Sequence, residues 1–132
     1  MLRYMLDTNT CIWAMRADAT SQLAGHFNRH AEQLSISSIV LAELNYGAEK
    51  SKRVTENLLE IEQFTARLTV LDFDAIAAAA FGRVRTVTAR QPLGPFDTLI
   101  AAHALSRDLV IVTDNIREFE RVPGLQIENW RT

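Results

Sequence analysis

The sequence predicts an α/β fold with a mostly parallel sheet between helices, and two observations carry that prediction. Short apolar segments alternate with segments whose apolar residues recur every three or four positions, the order strand, helix, strand. Residues 109–113 (LVIVT) stay apolar up to Thr113 with no polar alternation, as a parallel strand covered on both faces must.

The elements follow in order. Tyr4, Met5 and Leu6 form a short first strand that ends at Asp7, and the turn-rich Asp7-Thr8-Asn9-Thr10 opens a helix. Residues 34–37 (LSIS) alternate as a strand does. Ser38 is placed to cap a helix over residues 39–46, with Gly47 as its stop. Val54, Leu58, Ile61, Phe64 and Leu68 form the stripe of a long helix, and residues 69–71 (TVL) form a third strand. Ile76, Ala80, Val84 and Val87 lie on one stripe of a helix that must end before Pro92. Gly94-Pro95 begins the helix that carries Asp97. The strand over 109–113 ends at Asp114-Asn115, and a last strand over residues 125–128 follows the Pro123-Gly124 turn.

At 132 residues with no linker, repeat or low-complexity stretch, residues 1–132 read as a single domain able to bury its own core. Hydrophobic residues at 48% and charged residues at 23% place the chain among soluble globular proteins. No apolar run approaches a membrane span, and the opening MLRYMLD reaches an acid by position 7, unlike a signal peptide, so a cytoplasmic location and no membrane partner are expected. The one cysteine, Cys11, excludes an internal disulfide and a multi-cysteine zinc site, and reads as a small core residue. The net charge of −2 lacks the basic balance of most nucleic-acid binders. RNA contact must therefore use a local patch of the 12 arginines, with Arg85, Arg90 and Arg107 as candidates, or metal ions that offset the acids.

Four acids form the candidate site. In open parallel sheets, ligands bind beyond the carboxyl ends of the strands. Asp7 and Asp114 each follow a strand, and Asp97 lies at the start of a helix. Glu43 and Asn45 are the polar residues of an otherwise apolar helical segment, where a charge needs a compensating partner. Carboxylates without histidine or cysteine suit Mg²⁺ or Mn²⁺ better than zinc. Taken singly, Asp7 reads equally as a turn residue, Asp97 as a helix cap and Asp114-Asn115 as a turn. His103 reads as a packed histidine, His26 and His30 as a solvated helix face, and Trp13 and Trp130 as packing or interface residues. No phosphate-binding glycine loop or nucleophile elbow is present.

The segments MLDTNTCIW, ISSIVLAELNYGAEKS, PLGPFDTLIAAHALSRDLVIVTDNIREFERVPGL and IENW closely resemble VapC toxins of the PIN-domain family from end to end. The resemblance implies a three-layer α/β/α sandwich and a Mg²⁺- or Mn²⁺-dependent endoribonuclease that halts translation. Its implied substrate is tRNA, and among similar members the initiator tRNA at the anticodon stem-loop. It places the family's acids on Asp7, Glu43 and Asp97, with the fourth position falling on Asn115 or the adjacent Asp114. Thr8 or Asn9, next to Asp7, is placed to orient a metal-bound water. The resemblance also implies a VapB-type antitoxin as inhibitor, operator DNA contacted only through that antitoxin, and a toxin homodimer within the larger complex. The antitoxin's C-terminal segment is expected to pack near Ile12, Trp13 and residues 38–47, and to bring an arginine or lysine to the carboxylates.

Two rivals differ in class. A phospho-receiver domain also gathers acids around magnesium, but it needs a lysine after a late strand, and none follows Lys52. A catalytically silent module that only binds antitoxin is opposed by the intact Asp7, Glu43 and Asp97.

Overall fold

The computed structural model describes residues 1–131. Five strands, β1 (Tyr4–Leu6), β2 (Leu34–Ser37), β3 (Thr69–Leu71), β4 (Val110–Val112) and β5 (Ile127–Glu128), form one sheet in the order β3-β2-β1-β4-β5. Every pairing is parallel. All residues of β1, β2 and β4 are buried, so both faces of the sheet's centre are covered. This is the reason those strands are short and apolar rather than alternating.

The helices are α1 (Thr8–Arg16), α2 (Gln22–Arg29), α3 (Ser38–Glu49), α4 (Val54–Thr65), α5 (Ala75–Val87), α6 (Pro95–Ser106) and the single turn α7 (Ile116–Phe119). From β1 the chain steps one way to β2 and β3, then crosses back to place β4 on the other side of β1. The point where the order reverses, between the carboxyl ends of β1 and β4, is where such sheets open a ligand crevice. Among the described residues, no helix is long and apolar enough to cross a membrane.

Three expectations shift. α3 is capped by Ser37, whose hydroxyl accepts from the Ile39 N–H at 3.1 Å, and it runs past Gly47 to Glu49. A glycine inside a helix costs only about 1 kcal/mol, which packing of Leu44 and Ala48 outweighs. α5 buries Ala77, Ala80 and Val84, leaving Ile76 and Val87 66% and 62% exposed. The buried stripe is thus set by small alanines that admit close approach to α6, and the large residues lie outside it. His26 and His30, expected on a solvated face, are half-buried and stack on the buried Trp130 at ring-centre distances of 5.2 and 5.3 Å.

Candidate active site

Asp7 follows β1 and caps α1. Its Oδ1 accepts from the Thr10 N–H at 2.8 Å, and its Oδ2 accepts from the Thr113 hydroxyl at 2.6 Å. Thr10 in turn donates to the Val112 carbonyl at 3.1 Å, tying the start of α1 to the end of β4. Asp7 is only 4% exposed. Burial raises its pKa, the hydrogen bonds from Thr10 and Thr113 oppose that rise, and Asp114 adds to it. The carboxylate is therefore held at the sheet's switch point in a single orientation.

Asp97 is the third residue of α6, a helix opened by Gly94 and Pro95. Burial, then the charge and hydrogen bond of Glu118, then Asp7 and Glu43, push its carboxyl up to about 7. Glu118, on α7, is held as the anion of the pair, below its usual value. Burial works against this, but the Gly94 N–H at 2.8 Å, the Asn115 amide at 2.6 Å and the Asp97 carboxyl all donate to it. The two acids share one proton because two anions this close in a partly dry site repel.

Glu43 is half-buried on α3, and its Oε1 accepts from the Thr8 hydroxyl at 2.6 Å. The charge that needs a compensating partner thus receives a neutral hydroxyl, and among the described residues no cation pairs with it. The apolar run around it is split, with Val40, Leu44 and Ala48 buried while Ala42, Asn45 and Tyr46 face outward. Glu43 thus stands at the mouth of a groove between α1, α3 and α4 lined by Ile12, Met15, Arg16, Leu44 and Ile61.

The expected residues separate as follows. Asp7 and Glu43 both lie within electrostatic reach of Asp97 and are, after burial and Glu118, the smaller influences on it. Asp114 turns its Oδ2 to Arg131 at 3.1 Å, and Asn115 turns its amide to Glu118. Thr8 is bound to Glu43, and Asn9 is exposed. Arg85 and Arg107 lie at the carboxyl ends of α5 and α6. Arg107 is ten residues on from Asp97, about 15 Å along the helix. Arg90 is exposed beyond α5. Cys11 and Trp130 are buried as expected. His103 is packed too, with its Nδ1 2.8 Å from the Ser37 hydroxyl and its Nε2 without a partner.

Glu118 was missed. Its signal was present, since Asn115 followed three residues later by Glu118 has the spacing of a helix start in which the acid reaches back. Thr113 was likewise read only as a strand end.

An all-oxygen donor set suits a hard divalent cation. Among the described residues no three acids, histidines or thiols stand close enough to enclose an ion by themselves.

A family model described as the PIN domain matches residues 4–125. A tRNA(fMet)-specific endonuclease VapC of Salmonella typhimurium is 50% identical over 132 residues, covering 98% of this chain and 99% of the relative. One of the same description from Shigella flexneri is 52% identical with the same coverage. A DNA-bound VapBC from Salmonella typhimurium has a chain that superposes at a TM-score of 0.93 with 50% identity, covering 98% of this chain and 99% of that one. A chain of VapBC2 from Rickettsia felis, bound to a promoter DNA fragment, superposes at 0.89 with 38% identity and the same coverage.

Proposed function

The chain belongs to the PIN-domain family, and from that premise we propose that it is a VapC-type toxin, a metal-dependent endoribonuclease that cuts initiator tRNA in the cytoplasm and is neutralised by a VapB-type antitoxin. The observation that carries this reading is Asp7 at the sheet's switch point, with Glu118, Asp7 and Glu43 near enough to Asp97 to add to the effect of burial, which together bring its carboxyl to about 7. Carboxylates are gathered at such a cost in repulsion where a cation relieves it.

In this reading Asp7, Asp97, Glu43 and Glu118 hold Mg²⁺, or Mn²⁺ in its place, directly or through water. Asp114 stands outside that set. The bound ion supplies a nucleophilic water near neutral pH and offsets charge on the phosphoryl oxygens. The protein's own part is orientation. Thr10 and Thr113 hold Asp7 in one rotamer. Thr8 fixes Glu43. Gly94 and Asn115 aim Glu118 at Asp97, and these two acids would lose their shared proton to accommodate a cation.

The groove, apolar along Ile12, Met15, Leu44 and Ile61 and polar along Arg16, Glu43, Asn57 and Glu60, suits an amphipathic antitoxin segment whose cationic side chain reaches Glu43 and Glu60. Trp13 is not part of that lining. Exposed Ile76 and Val87, three turns apart on one face of α5, suit the homodimer contact. The test is to incubate the purified chain with total tRNA and Mg²⁺ and map the new ends. One cut in initiator tRNA, lost with chelator and with Asp97→Asn, supports the proposal, and intact tRNA under every divalent ion sinks it.

A further inference from the structure

The acids near Asp97 pose a problem for a polyanionic substrate, since Glu118, Asp7 and Glu43 all act on it electrostatically. A cation has to meet the strand there. Arg16 shares the groove with Glu43 and Arg121 acts on Glu118, but Arg131 is the one stacked on an exposed aromatic ring. Its guanidinium carbon sits 3.6 Å from the centre of the Trp13 ring, and its NH1 group lies 3.1 Å from Asp114 Oδ2. Asp114 adjoins Thr113, whose hydroxyl holds Asp7. Trp13 is six residues along α1 from Asp7, about 9 Å on the helix axis. The stack therefore stands at the rim of the crevice, within reach of a nucleotide next to the reacting one.

The base of this platform is firm and its top is open. The preceding Trp130 is 2% exposed, packs edge-on against Tyr4 at 4.7 Å and donates its indole N–H to Glu128 Oε1 at 2.9 Å. The Arg131 backbone N–H donates to Asn129 Oδ1 at 3.0 Å. Above this anchor, the Trp13 indole remains 37% exposed and the Arg131 side chain 45% exposed. Of the two ion pairs among the described residues, the other, Arg53–Glu56, lies on α4 at the surface.

We propose that Trp13, Arg131 and Asp114 form a docking point for single-stranded RNA beside the metal site: a nucleobase stacks on the outer face of the Arg131 guanidinium, and the edge of that guanidinium binds the adjoining phosphodiester. Trp13 supplies the rigid lower layer. Guanidinium planes stack bases as aromatic rings do, and a phosphate can take the edge donors that Asp114 does not use. Asp114 is then a competitor, an internal stand-in for the phosphate that holds Arg131 extended until RNA replaces it. An exposed pair of this kind is weak enough to exchange. The inference rests on the ribonuclease reading above for its substrate.

The experiment measures tRNA affinity in chelator, where nothing is cut, and steady-state cleavage in Mg²⁺, for the full chain and three variants. Arg131→Gln should weaken binding and raise KM about tenfold, lower the salt slope of binding by about one, and change kcat far less. Trp13→Leu should move the same quantities in the same direction by about threefold. Asp114→Asn should tighten binding by about two- to threefold, because it removes the competing anion. Unchanged affinity and salt slope in Arg131→Gln would overturn the proposal. So would a collapse of kcat at constant KM, or an Arg131→Gln variant that keeps its RNA affinity but no longer captures antitoxin, which would give the stack to the protein partner. If the wild-type chain binds tRNA and does not cut it, the nuclease reading fails, and the docking point is still judged by the chelator measurements.

Discussion

At the scale of the residue, Asp7 does two jobs that one substitution can separate. It is an N-cap, worth about 1 kcal/mol to α1, and it is a buried charge. Asp7→Asn keeps an oxygen for the Thr10 N–H and removes the charge, so folding should survive while RNA cleavage falls by about a hundredfold or more. A folded variant with wild-type cleavage would remove Asp7 from the site. Asp97 sets the pH dependence. Its carboxyl moves from 3.8 to about 7 on folding without metal, so the native state keeps a proton that the unfolded chain releases. The metal-free protein should therefore lose stability as pH rises from about 4 to 7, and denaturant titrations at several pH values check this. Metal affinity should run the other way, falling as pH drops below about 7, with a proton released on binding that calorimetry in two buffers can count. Glu118→Gln removes a charge that holds the Asp97 proton and should shift that profile downward. Glu43 was legible as an unusual acid in its apolar segment, whereas Asp7 and Asp97 taken singly looked like turn and cap residues and stood out only through the family resemblance. Glu118 was not legible, because its role depends on Gly94 and Asn115 aiming it across 21 residues of chain.

At the scale of the element, two helices deliver two of the acids, and one buried contact links them. Ser37 caps α3, which carries Glu43, and meets His103 on α6, which carries Asp97. Ser37→Ala should cost about 2–3 kcal/mol in urea unfolding, combining a lost cap with a buried imidazole left unpaired. A loss under about 0.5 kcal/mol would show that the cap and the imidazole find other partners. The strands and most helices were readable because a parallel sheet demands apolar runs and its crossovers demand a helical period. The phase of α5 was not. Alanine carries little weight in a hydrophobic stripe, yet its small size is what lets α5 approach α6 closely. α7 escaped because a single turn has no period to detect.

At the scale of the whole molecule, the proposed metal site predicts that a bound divalent ion stabilises the fold. A ligand at a hundred times its Kd stabilises the native state by about 2.7 kcal/mol, a rise of roughly 10 °C in Tm for a domain of this size. Mn²⁺ titration should show such a rise, smaller in Glu43→Gln. A Tm that stays flat through millimolar Mn²⁺ would count against the cluster. Co-expression with a VapB-type antitoxin should yield a complex that no longer cuts tRNA, and replacing the antitoxin's basic residue should restore cutting. A complex that cleaves at full rate would rule out occlusion of the site.

By itself the sequence determined the fold class, the start of α1 at Asp7 and the Gly94-Pro95 entry to α6. These are properties of local pattern, where apolar runs, periodicity and capping residues act over a few positions. Tertiary structure alone decided that β4 lies beside β1, that Glu118 completes the carboxylates while Asp114 pairs with Arg131, and that Thr8 reaches Glu43. The reason is physical. A carboxylate's role depends on which donors and charges surround it in space, and those partners arrive from strands, loops and helices far apart in the chain. No short stretch of sequence contains them together.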